Sequence, residues 1–181
     1  MHKTIKLSLL LGAAVCVSLA PQAAKADLTG DSFHVTYHYP DQSSPYDDYG
    51  TYIAGGAGGN MNSAGPVNFV ITGSQIIFTY TGDSTWNGTE FNGPSFTDLN
   101  ESLGSATIDA STTSLGYTNS ILSVDGNQLF INWQGLPIVE GETVVVDLTP
   151  GTAVTPEPSA LALLGTGLLG TVGMVRRRFR A

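Results

Sequence analysis

Between Asp27 and Val154 the chain alternates apolar and polar residues with a period of two, and no stretch there repeats at helical spacing. "FHVTYHY" puts Phe33, Val35, Tyr37 and Tyr39 on one face and His34, Thr36 and His38 on the other. It predicts a half-buried strand that Pro40-Asp41 ends. "PVNFVITGSQIIFTYTGD" predicts two strands, Val67–Thr72 and Gln75–Thr81, joined by a two-residue turn at Gly73-Ser74. "ILSVDGNQLFINWQG" repeats the device, with strands 121–124 and 128–134 around Asp125-Gly126-Asn127. "TVVVDLT" from Thr143 predicts a last strand before Pro150-Gly151, and "SATIDAS" over 105–111 a weaker one. Gly, Asn, Ser and Thr punctuate these runs at intervals of about 8–12 residues, the rhythm of an antiparallel β-sandwich or jelly-roll-like domain. The expected fold is therefore all-β, in a single domain over residues 27–154. "PDQSSPYDDYG" (40–50) and the glycine-rich "GGAGGNMNSAG" (55–65) read as loops, the second a flexible one. That second loop lacks the lysine, the spacing and the following helix of a phosphate cradle.

Charge narrows the function. All seven basic residues lie outside residues 27–154, whereas fourteen of the fifteen carboxylates lie inside; only Glu157 does not. A surface without lysine or arginine cannot neutralise phosphates, which excludes nucleic acid as a partner. Side-chain ion pairs can involve only His34 or His38. Stability must come from apolar burial and hydrogen bonds, against self-repulsion. A cation such as Ca²⁺ would relieve that repulsion, although high acidity alone also serves solubility. Cys16, the single cysteine, precedes this domain, so the domain can form no internal disulfide.

The two ends carry a different chemistry. Lys3 and Lys6 precede an apolar stretch from Leu7 to Leu19, and "AAKA" offers Ala24 and Ala26 as the small residues of a cleavage site. Residues 1–26 thus read as a secretory signal peptide, with Asp27 the first mature residue. At the other end residues 155–181 hold Pro156-Glu157-Pro158, an uncharged apolar run at 159–175, and Arg176, Arg177, Arg178 and Arg180. As a helix the run would reach roughly 26 Å, slightly under the ~30 Å of a bilayer core. The arginines should stop transfer and remain cytoplasmic. The two prolines keep the triplet out of helices and ladders, as an extended peptide accessible to a processing enzyme.

That order of a Pro-Glu-Pro triplet, an apolar helix and a terminal arginine cluster resembles the PEP-CTERM sorting signal of Gram-negative, exopolysaccharide-producing bacteria. The resemblance covers about the last 27 residues. It implies exosortase, a membrane-embedded protease/transpeptidase, as a partner that reads Pro156, Glu157 and Pro158. It also implies removal of a transient membrane anchor and delivery to the cell surface or extracellular matrix. "FHVTYHYPD", followed by "FNGPSFTD" (91–98), is similar to a group of PEP-CTERM proteins that open on an aromatic strand ending Tyr-Pro-Asp.

Within the domain, candidate chemistry is sparse. His34 and His38 share a strand face, but about 13 Å separates their Cα atoms at strand rise, too far for one metal. Both are expected to face solvent. Asp47 and Asp48, with Asp41, could supply oxygen ligands to Ca²⁺, but the loop departs from the EF-hand pattern and a solvated loop is the favoured reading. A Ser-His-Asp site would have to use His34 or His38, and no nucleophile elbow is present. Carboxylate pairs are inevitable among fourteen acids and single out no glycosidase centre. Trp86, Trp133 and seven tyrosines offer flat apolar faces with polar tips, as saccharide binding needs. Trp133 alternates with Leu129 and Ile131 and belongs to the core. Trp86, among Gly, Asn and Thr, is the candidate ligand platform, with capping of the core as its competing role. The leading expectation is a non-enzymatic exported surface or matrix protein without a cofactor. The alternative is a carbohydrate-binding module for exopolysaccharide.

Overall fold

The computed structural model describes residues 27–151. The expected signal peptide, the Pro-Glu-Pro triplet, the apolar run and the arginine cluster lie outside them. Among the described residues no helix is long and apolar enough to cross a membrane.

The described chain is all-β and antiparallel. One five-stranded sheet runs β2 (Pro45–Ile53), β1 (Ser32–His38), β7 (Gly93–Asp98), β10 (Gln128–Ile131), β9 (Leu122–Asp125). A second runs β3 (Gly59–Asn60), β4 (Val67–Ile71), β5 (Gln75–Tyr80), β12 (Thr143–Pro150), β8 (Leu103–Ile108). A short ribbon pairs β6 (Ser84–Thr85) with β11 (Pro137–Ile138). Alternation explains the burial. Phe33, Val35 and Tyr37 of β1 are buried, as are Val67, Phe69 and Ile71 of β4 and Ile76, Phe78 and Tyr80 of β5. These inward residues form one core with Leu129, Ile131, Trp133, Val144, Val146 and Leu148. Rings connect the sheets: Phe78 of β5 meets Phe96 of β7 at 5.8 Å and Trp133 at 5.1 Å, and Phe69 of β4 meets Phe96 at 5.7 Å.

The hairpins close as expected. Thr72 and Gln75 flank Gly73-Ser74, with the Thr72 amide donating to the Gln75 carbonyl at 2.8 Å. The second hairpin turns through Gly126 at φ +61°.

Two expectations change, and one strand forms where none was expected. Residues 40–50 are not all loop, because from Pro45 onward the chain forms the edge strand β2 on β1. Register shifts between Val35 and Thr36 and between Tyr37 and His38 absorb its irregularity. Pro at the start of an edge strand costs no ladder bond, and Asp47 and Asp48 accept the amides of Asp48 and Gly50. The glycine-rich stretch 55–65 contains β3, paired to Asn68 and Phe69 of β4. And "GPSFTD" forms β7, a central strand between β1 and β10. Gly93 opens β7 because a Cβ there would lie 1.9 Å from the Ile131 carbonyl oxygen.

Gly93→Ala is therefore expected to destabilise the fold by about 1–3 kcal/mol, the usual cost of overpacking. Gly88→Ala, where no atom lies within 4 Å of the new Cβ, should change stability by no more than about 0.5 kcal/mol. Denaturant unfolding of the two variants measures the contrast.

Candidate functional site

A cleft of about 280 Å³ opens where the C-terminal end of β1 meets β2, the 61–65 loop, β6 and the approach to β7. Its floor is made of buried Tyr37, Trp86, Asn92 and Ile138, and its rim carries exposed Tyr46, Ser63, Ser84, Thr85 and Asn87. None of the lining residues is an Asp, Glu, His, Lys or Arg.

Its floor is locked from beneath. Trp86 stacks on Trp133 with ring centroids 4.7 Å apart and planes 30° apart, and Tyr37 lies 6.0 Å from Trp86. The indole Nε1 of Trp86 donates to Tyr117 Oη at 3.1 Å. Tyr117 in turn receives Tyr80 Oη at 2.6 Å and donates to the Pro137 carbonyl at 3.1 Å. Burial raises the pKa of Tyr37 and Tyr80 and pushes Tyr117 up to about 12. All three phenols are therefore uncharged donors at neutral pH. Tyr37 Oη donates to Asn92 Oδ1 at 2.6 Å, and Asn92 Nδ2 donates to the Asn87 carbonyl at 3.2 Å, so the amide is fixed. The 61–65 loop lies directly on the indole, since a Cβ at Gly65 would come 2.5 Å from the Trp86 ring. On the rim, Tyr46 is 58 % exposed and makes edge contacts with Tyr37 at 6.4 Å and Tyr39 at 5.9 Å.

Trp86 is thus part of the core, 4 % exposed; it caps the core and shows the cleft only a small part of its surface. The exposed aromatic is Tyr46, which lay in the stretch expected to be loop. Trp133 is fully buried, on the same face as Leu129 and Ile131 as its alternation indicated.

The other candidates disperse. Asp41 accepts bonds from the Ser43 amide and hydroxyl and from the Ser44 hydroxyl, and those hydroxyls lower its pKa. Asp47 receives the hydroxyl of Ser63, and Asp48 lies 3.3 Å from His34 Nε2. The three acids serve separate local contacts. A different set converges: ligand atoms of Asp31, Asp98 and Glu101 all lie within 4.8 Å of one another. Among the described residues this is the carboxylate group whose spacing suits an oxygen-ligated cation. No local motif joins Asp31 to the Asp98–Glu101 stretch, so sequence reading missed it.

His38 also departs from expectation. It sits on the outer face of the first sheet, as its parity requires, yet it is only 8 % exposed. Phe130 and Phe91 cover it, with ring centroids 5.6 and 6.2 Å from its own. Its Nε2 lies 2.9 Å from Ser95 Oγ, a serine–histidine pair, but Ser95 is 1 % exposed on a central strand, where a substrate does not reach.

Taken together, the fold and site define an acidic, all-β, antiparallel domain with an aromatic-floored, uncharged cleft. Beyond it, residues 154–178 match the PEP-CTERM protein-sorting motif. The chain carries the sorting motif of PEP-CTERM proteins, and the motif implies export, processing by exosortase and C-terminal sorting to the cell surface. No curated protein and no solved structure matches the chain.

Two outcomes follow. Trp86→Ala should cost about 3–5 kcal/mol in unfolding free energy, the penalty of removing a buried tryptophan. An exposed platform would lose little. Burial lowers the His38 pKa below 6.5, opposed by the Gln42 backbone and the Asp41 charge. Above pH 6.5 both folded and unfolded states hold it neutral. Between that value and the lower folded-state pKa the unfolded state takes the proton more readily, so stability falls as pH drops, by at most about 1.4 kcal/mol per pH unit. His38→Gln should flatten this slope on the acid side of pH 6.5 in pH-resolved thermal unfolding.

Proposed function

We propose that residues 27–154 form a jelly-roll-like β-sandwich that acts, without enzymatic activity, as a structural or interaction protein at the cell surface or in the extracellular matrix. In this reading residues 1–26 direct export. The run at 159–175 anchors the protein transiently, with Arg176, Arg177, Arg178 and Arg180 on the cytoplasmic side. Exosortase recognises Pro156-Glu157-Pro158 and removes the anchor. The observation that carries the reading is the sorting motif at 154–178, directly after the described domain. The two-sheet core with its ring contacts supports the sandwich, and a cleft without acid, base or cation on its lining supports binding over catalysis.

A second reading, a carbohydrate-binding module for exopolysaccharide, is favoured by one feature. The cleft combines an aromatic floor, an exposed tyrosine and a rim of hydroxyl and amide groups, the mixture by which polyhydroxylated rings are held.

Mass spectrometry of the protein from cells with and without exosortase tests the first reading. In wild-type cells the recovered chain is expected to begin at Asp27 and to have lost Arg180. Cells without exosortase, and cells carrying Pro156→Ala, Glu157→Ala and Pro158→Ala together, should accumulate the form that retains Arg180. Finding only that longer form in wild-type envelopes refutes processing.

A further inference from the structure

We infer that the cleft recognises an uncharged sugar unit and discriminates against uronic-acid units; this rests on the carbohydrate-binding reading and names its ligand class. Three observations lead there. First, no charged side chain lines the cleft. A carboxylate on the ligand would find no guanidinium or ammonium. That charge would lose water without a partner, a loss that costs far more than burying a hydroxyl.

Second, the surroundings are acidic. Asp47 holds the rim hydroxyl of Ser63, and Asp83 precedes Ser84. No lysine or arginine occurs between Asp27 and Val154. At physiological salt the Debye length is about 8 Å, so these charges still act on a ligand at the rim. They repel an anion there.

Third, the lining suits a neutral polyol. Tyr46 is exposed and braced edge-on by Tyr37 and Tyr39, so its ring is a pre-ordered apolar surface. Ser84, Thr85 and Asn87 stand exposed on the rim with hydroxyl and amide groups that can donate or accept. A volume of about 280 Å³ lies at the lower limit of ligand pockets, roughly 300–1,000 Å³, and suits a single sugar unit of a longer chain.

Fluorescence titration of the full-length chain in a polyoxyethylene detergent, which presents no sugar headgroup, tests this with Trp86 as the reporter. The probes are neutral tetrasaccharides of glucose, mannose, galactose and N-acetylglucosamine, beside tetragalacturonate. At least one neutral probe is expected to shift the emission, with an affinity that does not change between low salt and about 150 mM salt. Tetragalacturonate should bind at least about tenfold more weakly at low salt. Tyr46→Ala should weaken the neutral probe about tenfold or more with an unchanged melting temperature, and Tyr46→Phe should restore it. Tetragalacturonate binding as tightly as the neutral probes overturns the selectivity and leaves the carbohydrate reading standing. Silence from every probe overturns both. Neutral binding that Tyr46→Ala leaves untouched removes the cleft as its location.

Discussion

With no lysine or arginine between residues 27 and 154, the described domain is held by apolar and hydrogen-bonded contacts, with an exposed His34–Asp48 contact at 3.3 Å beside them. Fourteen carboxylates push outward against that. The architecture answers with aromatic area. Phe33, Phe69, Phe78, Phe96, Trp133, Tyr37 and Tyr80 are all nearly or fully buried, and each ring of this kind contributes more apolar contact than an aliphatic residue does. Side-chain carboxylates elsewhere are turned to local use: Asp41, Asp47, Asp48 and Asp109 each accept a backbone amide one or two residues further on. These bonds spread negative charge onto amide dipoles where no cation is available.

The pair Trp86–Trp133 links this packing to the cleft. Trp133 lies in the core between the sheets, and Trp86 reaches it from the segment after β6. Stacking brings one indole to the bottom of an opening, while Tyr117 and the Pro137 carbonyl secure its N–H and its neighbours. The cleft therefore has a floor made of the same rings that stabilise the fold. A ligand would meet a surface already ordered, and little conformational entropy would be lost on binding there. The rim differs: Tyr46 and the small polar residues stand on an edge strand and in loops, where substitution does not disturb the core.

Much of this fold was legible because period-two alternation maps directly onto burial in β4, β5 and β10 and in β1 as far as Tyr37. What was not legible had a common cause. β2 and β7 open with Pro45 and with Gly93-Pro94, residues that locally signal turns, and their strand character comes from the pairing partner. Gly93 answers to the Ile131 carbonyl, which no local window contains. His38 has the parity of a solvent-facing residue, and only Phe91 and Phe130, distant in sequence, bury it. The tyrosines and Trp86 could be named as flat apolar faces, but not which of them is exposed. That is decided by Trp133 beneath Trp86 and by the edge position of Tyr46. The Asp31–Asp98–Glu101 group is likewise a product of β1 lying beside β7.

The segregation of charge along the chain gains meaning when the ends and the middle are considered together. The basic residues fall wholly in the segments assigned to export and sorting, so processing as proposed would leave a domain with acids alone. Such a domain is repelled by anionic lipid surfaces and by acidic polymers over about a Debye length. Once released from its anchor it would have no electrostatic reason to stay near a membrane. Retention near a cell would then have to rest on short-range, uncharged contacts, since long-range attraction to anionic material is absent. Among the described residues the cleft beside Tyr46 gathers such contacts, apolar rings below and hydroxyl and amide groups around. The lack of basic residues, which forces an aromatic core, thereby also restricts the kinds of surface to which the finished protein can adhere.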